Sequence, residues 1–283
     1  MDPVKPVETS LLLGRSNLVL RIVSSLVLAP IAIAAAYFGG LTFAAFWLVA
    51  ASCVLWEWDT LVCSNEKNPV LTIGAVALAG SSFLLVLGRT VSAIALIVLG
   101  MLGAATLGSK SRRIWCVAGV LYAGALLVAP VLLRRDVALG FAAIMFLFVV
   151  VWLTDTAAYF CGRAIGGPKL MPRVSPKKTW SGAVGGTIGG MAGGVAVAFY
   201  AGIQGLAAVA IVATLLSIAS QAGDLLESSI KRHFDAKDAS ALIPGHGGVM
   251  DRVDGFVVAA VAATAIGIWR GGVDTPAHGL LVW

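Results

Sequence analysis

The chain has 283 residues, of which only 12% are charged, and its mean hydropathy is +0.95. A soluble domain of this size needs a far more charged surface, so these values exclude an ordinary soluble protein. In so apolar a chain the formal net charge of +6 relates first to membrane topology, and we therefore expect no nucleic-acid partner.

Apolar segments of about 20 residues, long enough to cross a bilayer, recur along the chain. They predict an all-α fold, a polytopic membrane bundle of about nine transmembrane helices. The predicted spans are roughly 18–38, 41–62, 70–88, 91–108, 114–133, 137–160, 182–202, 205–226 and 252–270. No convincing cleavage site follows the first of them, which predicts a retained span rather than a removed signal peptide.

Lys and Arg are concentrated in alternate connecting segments. With a cytoplasmic N-terminus, the inner segments carry most of them, including Lys5, Arg15, Arg21 and Lys67, whereas the outer segments carry Arg89, Arg134, Arg135 and Arg270. This bias places both long polar loops on the cytoplasmic side. We expect a multi-pass protein of a bacterial inner (cytoplasmic) membrane.

Polar residues divide the chain unevenly. Residues 1–135 are predicted to form N-terminal, lipid-facing scaffold helices, and residues 136–283 a catalytic region with two cytoplasmic polar loops. In the first part, Glu57 stands between Trp56 and Trp58 near the end of the second predicted span. Interfacial anchoring by the two tryptophans explains this stretch, and the alternative is that Glu57 reaches a polar cavity.

The first polar loop follows the sixth predicted span. Asp155, Tyr159 and Arg163 are four residues apart and so share a helix face. A carboxylate within an apolar run is costly and often functional. The loop continues with hydroxyl and ammonium groups suited to phosphate, namely Ser175, Lys177, Lys178 and Thr179. A plain positively charged cytoplasmic loop explains these Lys and Arg residues equally well.

Two rows of glycines follow this loop at intervals of four residues. They are Gly185, Gly189 and Gly193, and Gly186, Gly190 and Gly194. A broad face of small residues favours close helix packing. It predicts either a packing seam inside the chain or a homodimer contact through Gly182–Gly194.

The most polar stretch runs from Asp224 to Asp254. Before and within it, one helix face is predicted to carry Ser217, Gln221, Asp224 and Ser228, bordered by Glu227 and Lys231. Asp251 and Asp254 fall in the first turn of the last predicted span, where helix capping alone would explain one carboxylate. Carboxylates at such a boundary are typical ligands of a hard divalent cation.

The same stretch resembles the signature of phosphatidate cytidylyltransferases, the CDP-diacylglycerol synthases. The matching residues are Ser228-x-Ile230-Lys231-Arg232, Lys237-Asp238, Pro244-Gly245-His246-Gly247-Gly248 and Asp251-Arg252-x-Asp254. A second match comprises Asp155-x-x-Ala158-Tyr159, Gly162-Arg163 and Ser175-Pro176-Lys177-Lys178-Thr179-Trp180. The resemblance covers about residues 150–258 and departs from the family at Ser181, where the family often has Glu.

The resemblance implies a reaction of CTP with phosphatidic acid, giving CDP-diacylglycerol and pyrophosphate. It implies Asp224 and Asp251 as ligands of Mg²⁺, with a second cation left open, and Lys231 and Arg232 as further catalytic residues. Substrate-binding residues would be Asp155, Tyr159, Arg163, Ser175, Lys177, Lys178, Thr179, Ser228, Lys237, Asp238, His246, Gly247, Gly248, Arg252 and Asp254.

Because the acyl chains of the lipid stay in the bilayer, we expect a polar cavity that opens to the cytoplasm and sideways to membrane lipid. Two alternatives stay open from the residues. One is a CTP-dependent enzyme for another lipid phosphate or a lipid alcohol. The other is an ion-coupled transporter that uses Asp155, Asp224 and Asp251 as an ion path.

Overall fold

The computed structural model describes residues 26–63, 69–243 and 247–283. Several sequence-based predictions lie outside these described residues. They concern the start of the first span at 18–25, the cations Lys5, Arg15, Arg21 and Lys67, and the residues Pro244, Gly245 and His246.

Helices dominate the described chain. The first five are α1 Leu26–Phe38, α2 Gly40–Cys63, α3 Val70–Val86, α4 Thr90–Leu107 and α5 Arg113–Arg134, the last preceded by a 3₁₀ turn at Lys110–Arg112. The others are α6 Gly140–Ile165, α7 Trp180–Tyr200, α8 Leu206–His233, α9 Met250–Gly271 and the short α10 Pro276–Leu281.

Seven of the described helices, α2 and α4 to α9, are long and apolar enough to cross a membrane. The described part of α1 and the whole of α3 are apolar but shorter. The predicted all-α, multi-pass membrane fold is therefore confirmed. The number of spans and the cytoplasmic N-terminus stay predictions.

A small antiparallel hairpin stands in the polar connection between α6 and α7, where the sequence suggested only a loop. It consists of β1 Lys169–Met171 and β2 Ser175–Thr179, with Lys169 opposite Thr179 and Met171 opposite Ser175. Gly166 and Gly167 make this possible, because their φ angles of 66° and 101° turn the chain back after α6.

The glycines of α7 bring it against α6 at very short range. A Cβ atom on Gly186 would lie 2.8 Å from the carbonyl oxygen of Thr154, and one on Gly189 would lie 2.5 Å from the Cβ of Ala157. Gly194 meets Ala213 of α8 in the same way, at 2.8 Å. Both glycine rows therefore pack inside the chain, as the first of the two predicted alternatives requires.

Contacts at the two ends of the bundle define which segments lie together. At one end, Trp115 stacks on His233 with ring centroids 4.9 Å apart, which joins the start of α5 to the end of α8. At the other end, Arg134 donates from Nε to the carbonyl oxygen of Ala36 at 2.5 Å. The start of α5 and the end of α8 thus lie at one end of the bundle, and the ends of α1 and α5 at the other, as the predicted inner and outer segments require. Which of the two ends faces the cytoplasm stays a prediction.

The buried core lies between α2, α5, α6, α8 and α9. Trp47 of α2 stacks on Phe256 of α9 with ring centroids 4.7 Å apart, and Phe148 of α6 packs on the same ring at 5.5 Å. These aromatic contacts tie α2 and α6 to α9, so the first part of the chain supports the end of the bundle where the polar loops meet.

Substituting Gly186 by Val tests the α6–α7 seam. Its Cβ would meet the backbone carbonyl of Thr154, which cannot rotate away, so we expect a loss of about 1–3 kcal/mol of stability. Thermal melting of the detergent-solubilised protein measures the change. Ala192→Val, on the exposed side of the same helix, serves as the control and should melt like the unmodified chain.

Candidate active site

Lys231 lies between two buried carboxylates. Its Nζ atom is 2.5 Å from Oδ1 of Asp251 and 2.7 Å from Oε2 of Glu227, one helical turn earlier on α8. The Glu227 side chain is fully buried, and beyond this ion pair neither of its oxygens has a hydrogen-bond partner among the described residues. The ammonium group is therefore what makes two buried negative charges tolerable here.

The second oxygen of Asp251 is held by backbone. The amides of Ala239 and Gly248 donate to its Oδ2 at 3.0 and 2.8 Å. A carboxylate offers about four lone-pair positions, and three of those of Asp251 have partners. Asp251 is thus oriented by the protein, and one of its lone-pair positions has no hydrogen-bond partner among the described residues.

Glu57 of α2 reaches the same segment from the far side. The amides of Val249 and Met250 donate to its Oε1 and Oε2 at 2.8 and 2.6 Å, and the hydroxyl of Ser240 donates to Oε1 at 2.6 Å. These donors include the first amides of α9, which have no partner within the helix. Glu57 therefore binds the segment that also binds Asp251, and does not simply face water at the membrane surface.

Interfacial anchoring explains the tryptophans beside Glu57 only in part. Trp56 is exposed, but Trp58 is 3% exposed and donates from its indole nitrogen to the carbonyl oxygen of Trp115 at 2.9 Å. The sequence signal for Glu57 was its charge within an apolar segment, which is costly without a partner.

The hairpin is joined to α8 by an ion pair between Lys178 and Asp224. Both side chains are 29% exposed, and the hydroxyl of Ser228 lies 3.4 Å from the other oxygen of Asp224. Side chains alternate across a strand, so the neighbouring Lys177 points to the opposite side and is exposed. The two lysines, equivalent in the sequence, have different surroundings in the structure.

The remaining polar side chains of the predicted α8 face hold α8 to its neighbours. Ser217 and Thr154 of α6 have hydroxyl oxygens 2.7 Å apart, and both side chains are buried. Gln221 donates from Nε2 to the hydroxyl of Thr187 on α7 at 3.0 Å. This face therefore serves packing at its buried part and the candidate site at Asp224 and Ser228.

Thr179 forms the N-terminal cap of α7. Its hydroxyl accepts from the amide of Gly182 at 3.1 Å and lies 3.0 Å from the hydroxyl of Ser181, which in turn donates to the carbonyl oxygen of Gly166. Thr179, predicted to bind substrate, is engaged in this junction. Ser181, where the family often has Glu, closes the base of the hairpin.

Other predicted residues are exposed around these elements. Tyr159 and Arg163 contact each other, with Nη1 of Arg163 donating to the phenol oxygen at 3.1 Å. Arg232 donates to the carbonyl oxygen of Ala236 at 3.0 Å. Ser175 is part of the hairpin ladder, and Lys237 and Asp238 are exposed beside the segment that binds Asp251.

A groove of about 1,100 Å³ lies between α1, α2, α6 and α9. Its walls are mostly apolar, and its polar side chains include three of the predicted residues, Asp155, Arg252 and Asp254. Phe38 and Val49 line it although they are 72% and 64% exposed, so the groove opens at the side of the bundle. An apolar channel with a charged end suits an amphipathic molecule.

Three carboxylates form an anionic centre beside this groove. The Asp254 carboxylate is close enough to Asp224 and Asp155 for electrostatic repulsion, and the Asp155 carboxylate is close enough to Lys178 and Arg252 for electrostatic attraction. In residues 26–63, 69–243 and 247–283, no group of three or more acidic, His or Cys side chains is close enough to hold a metal ion alone. Mg²⁺ is usually held by only one or two carboxylates together with phosphate oxygens, so the lack of such a group does not conflict with a Mg²⁺ ion bound together with a phosphate ligand.

Residues 19–268 match the model of the cytidylyltransferase family. A phosphatidate cytidylyltransferase of Brucella suis is 44% identical over 266 residues, which cover 92% of this chain and 97% of the relative. The phosphatidate cytidylyltransferase of Brucella melitensis is 43% identical over the same shares. One from Staphylococcus haemolyticus is 39% identical over 50% of this chain and 54% of its own length.

Replacing Lys231 by Met tests the buried ion pairs. It removes the ammonium group and leaves the carboxylates of Glu227 and Asp251 without a paired cation, so we expect a loss of about 3–5 kcal/mol of stability in thermal melting. The double variant Glu227→Gln/Lys231→Met should recover part of the loss, because one of the two charges is gone. Arg232→Met, at the exposed next position, is the control, and an equal loss in it would contradict the assignment.

Proposed function

The chain belongs to the cytidylyltransferase family, and we propose that it transfers the cytidylyl group of CTP to phosphatidic acid, giving CDP-diacylglycerol and pyrophosphate. It is a nucleotidyltransferase of phospholipid biosynthesis. The observation that carries this proposal is the similarity to phosphatidate cytidylyltransferases over 92% of the chain. The relatives' names do not favour a transporter or an enzyme for another lipid.

The site chemistry supports the same reaction. An oxygen of the lipid phosphate attacks the α-phosphorus of CTP, and the bond from that phosphorus to the β-phosphate breaks, so pyrophosphate leaves with the electron pair. Both reactants are anionic, and the protein has to neutralise and align them. The lipid phosphate is already ionised at neutral pH, so no side chain has to remove a proton.

Cations surround the proposed reaction centre. Lys178 and Arg252 interact electrostatically with the Asp155 carboxylate, and the exposed Arg232 and Lys237 are close in the chain to Lys231 and Ala239, which bind Asp251. We assign to them the phosphates of CTP and of the lipid. The ammonium group of Lys231 is engaged with Asp251, so its proposed catalytic contribution is to keep that carboxylate charged and in place.

We further propose that Asp224 and Asp251 hold Mg²⁺, with a second cation left open. The supporting observation is that neither carboxylate has all of its lone pairs engaged. When bound, the ion would neutralise charge on phosphate oxygens of CTP. The side chains themselves provide the orientation, since Asp251 is held by two amides and Asp224 by Lys178 and Ser228.

The groove offers a route for the lipid. Its exposed apolar wall would take the acyl chains from the bilayer, and Arg252 at its polar end would meet the phosphate. This arrangement lets the headgroup reach the charged centre while the acyl chains stay among apolar side chains.

Localisation and self-association remain proposals. The apolar helices and the bacterial relatives support a multi-pass protein of the bacterial inner membrane. A homodimer through Gly182–Gly194 would have to use the exposed side of α7, with Val184 and Ile188, because both glycine rows pack on α6 and α8. The division at residue 135 is also a proposal, and Glu57 and the groove residues of α1 and α2 join the first part to the site.

Asp224→Asn and Asp251→Asn test the proposed metal ligands. Each removes a negative charge, so we expect Mg²⁺-dependent turnover of CTP and phosphatidic acid to fall by roughly 10²–10³-fold. Pyrophosphate release from purified protein in detergent micelles measures turnover, with EDTA and lipid-free samples as blanks. Asp274→Asn, at an exposed position near the C-terminal end of α9, should be active. Substantial turnover in either site variant would remove that residue from the proposed metal site.

Ala45→Phe tests the groove as the acyl-chain site. Ala45 is exposed and lines the groove, so a phenyl ring there should narrow it and lower kcat/KM for long-chain phosphatidic acid by roughly 10-fold relative to a short-chain form. Ala79→Phe, on the exposed side of α3, is the control. Equal effects on both lipids would place the acyl chains elsewhere.

A further inference from the structure

We propose that Glu57 is a positioning residue for the reaction, which sets the start of α9 and through it the place of Asp251. The proposal rests on the function proposed above for its catalytic consequence. Its structural part stands on the contacts of Glu57 alone.

Glu57 is fully buried, yet its carboxylate is well satisfied. It accepts three hydrogen bonds, from the amides of Val249 and Met250 and from the hydroxyl of Ser240, at 2.6 to 2.8 Å. Among the described residues no Lys or Arg forms an ion pair with it. A buried charge without a counter-ion depends on such hydrogen bonds, so the carboxylate and the segment that donates to it hold each other in place.

The partners of Glu57 adjoin those of Asp251. The Gly248 amide donates to Asp251, and the next two amides, of Val249 and Met250, donate to Glu57. Ala239 donates to Asp251, while the neighbouring Ser240 donates to Glu57. Neighbouring donors, at positions 239 and 240 on one side of the loop and 248 to 250 on the other, are thus divided between the two carboxylates. Any displacement of Glu57 moves the backbone donors that orient Asp251.

Gly248 separates the two carboxylates. A Cβ atom there would be 2.6 Å from Oε1 of Glu57, too close for any side chain while Glu57 is in place. The absence of a side chain at position 248 is therefore a requirement of the Glu57 contact. The helix N-terminus also favours a negative charge at this point, which adds to the hydrogen bonds.

Three single substitutions, two at Glu57 and one at its hydrogen-bond donor Ser240, test the proposal. Glu57→Ala removes all three acceptor contacts, Glu57→Gln retains the shape but replaces one acceptor oxygen by an NH₂ group, and Ser240→Ala removes one donor. Thr60→Ala, whose exposed hydroxyl only bonds to its own helix, is the control. We expect the Mg²⁺ concentration for half-maximal turnover to rise by roughly 10- to 100-fold in Glu57→Ala, less in Glu57→Gln and least in Ser240→Ala.

A purely structural role for Glu57 predicts a different result. In that case Glu57→Ala would lower the melting temperature and the yield, but kcat and the Mg²⁺ requirement per folded molecule would equal those of the unmodified protein. That outcome would overturn the proposal. So would a Glu57→Gln variant as impaired as Glu57→Ala with unchanged Mg²⁺ requirement.

Hydrogen–deuterium exchange of the unliganded protein in detergent provides a readout independent of turnover. We expect amides in the peptide spanning 247–254 to exchange faster in Glu57→Ala than in Thr60→Ala, with α7 unchanged in both. Unchanged exchange in that peptide would refute the proposal even if activity fell. If the unmodified protein converts no CTP, the proposed function fails, and the exchange data still decide whether Glu57 holds the start of α9.

A double-variant cycle separates the contact from general damage. Gly248→Ala should be harmful in the unmodified chain because its methyl group meets the Glu57 carboxylate. In the Glu57→Ala background that clash is gone, so Gly248→Ala should accelerate exchange of 247–254 by a smaller factor than in the unmodified chain. Equal factors in both backgrounds would show that the two residues are not coupled, and would contradict the proposed contact.

Discussion

One lysine ammonium between two buried carboxylates sets the geometry of the charged end of this bundle. Glu227 and Lys231 are on α8, whereas Asp251 is on α9, so the Lys231–Asp251 pair joins the two helices and the Glu227–Lys231 pair holds the ammonium group in place on α8. Leaving either carboxylate unpaired at this depth would cost several kcal/mol. The loop between α8 and α9 therefore has to return to the end of α8, and it brings its backbone amides to Asp251 as it does so.

Elements far apart in the chain complete this charged end. Glu57 binds the start of α9 from α2, and Lys178 binds Asp224 from the hairpin between α6 and α7. Each contact joins an acidic group to a donor from another element. The result is an anionic centre that is oriented before substrate arrives, with exposed cations at its border. Such an arrangement suits a reaction between two phosphate compounds, where charge has to be balanced without large rearrangement.

Close helix packing explains how the centre lies beside a groove that opens at the side of the bundle. The glycines of α7 let it press on α6, while the other side of α6 presents Asp155 to the groove shared with α1, α2 and α9. Trp47, Phe148 and Phe256 tie these helices together below the polar end. The apolar and charged surfaces needed for a lipid phosphate thus meet at one place because the same helices contribute to both.

The sequence by itself determined the membrane class, the apolar segments and the family, because hydropathy and motif spacing are local properties. It also predicted Asp224, Lys231 and Asp251 as site residues. It did not determine that Lys178 rather than Lys177 pairs with Asp224, or that Glu57 belongs to the site. The partners of Glu57 are 183 to 193 positions away along the chain. Only the tertiary structure decided these contacts, since they depend on how the helices pack and which strand face a side chain occupies.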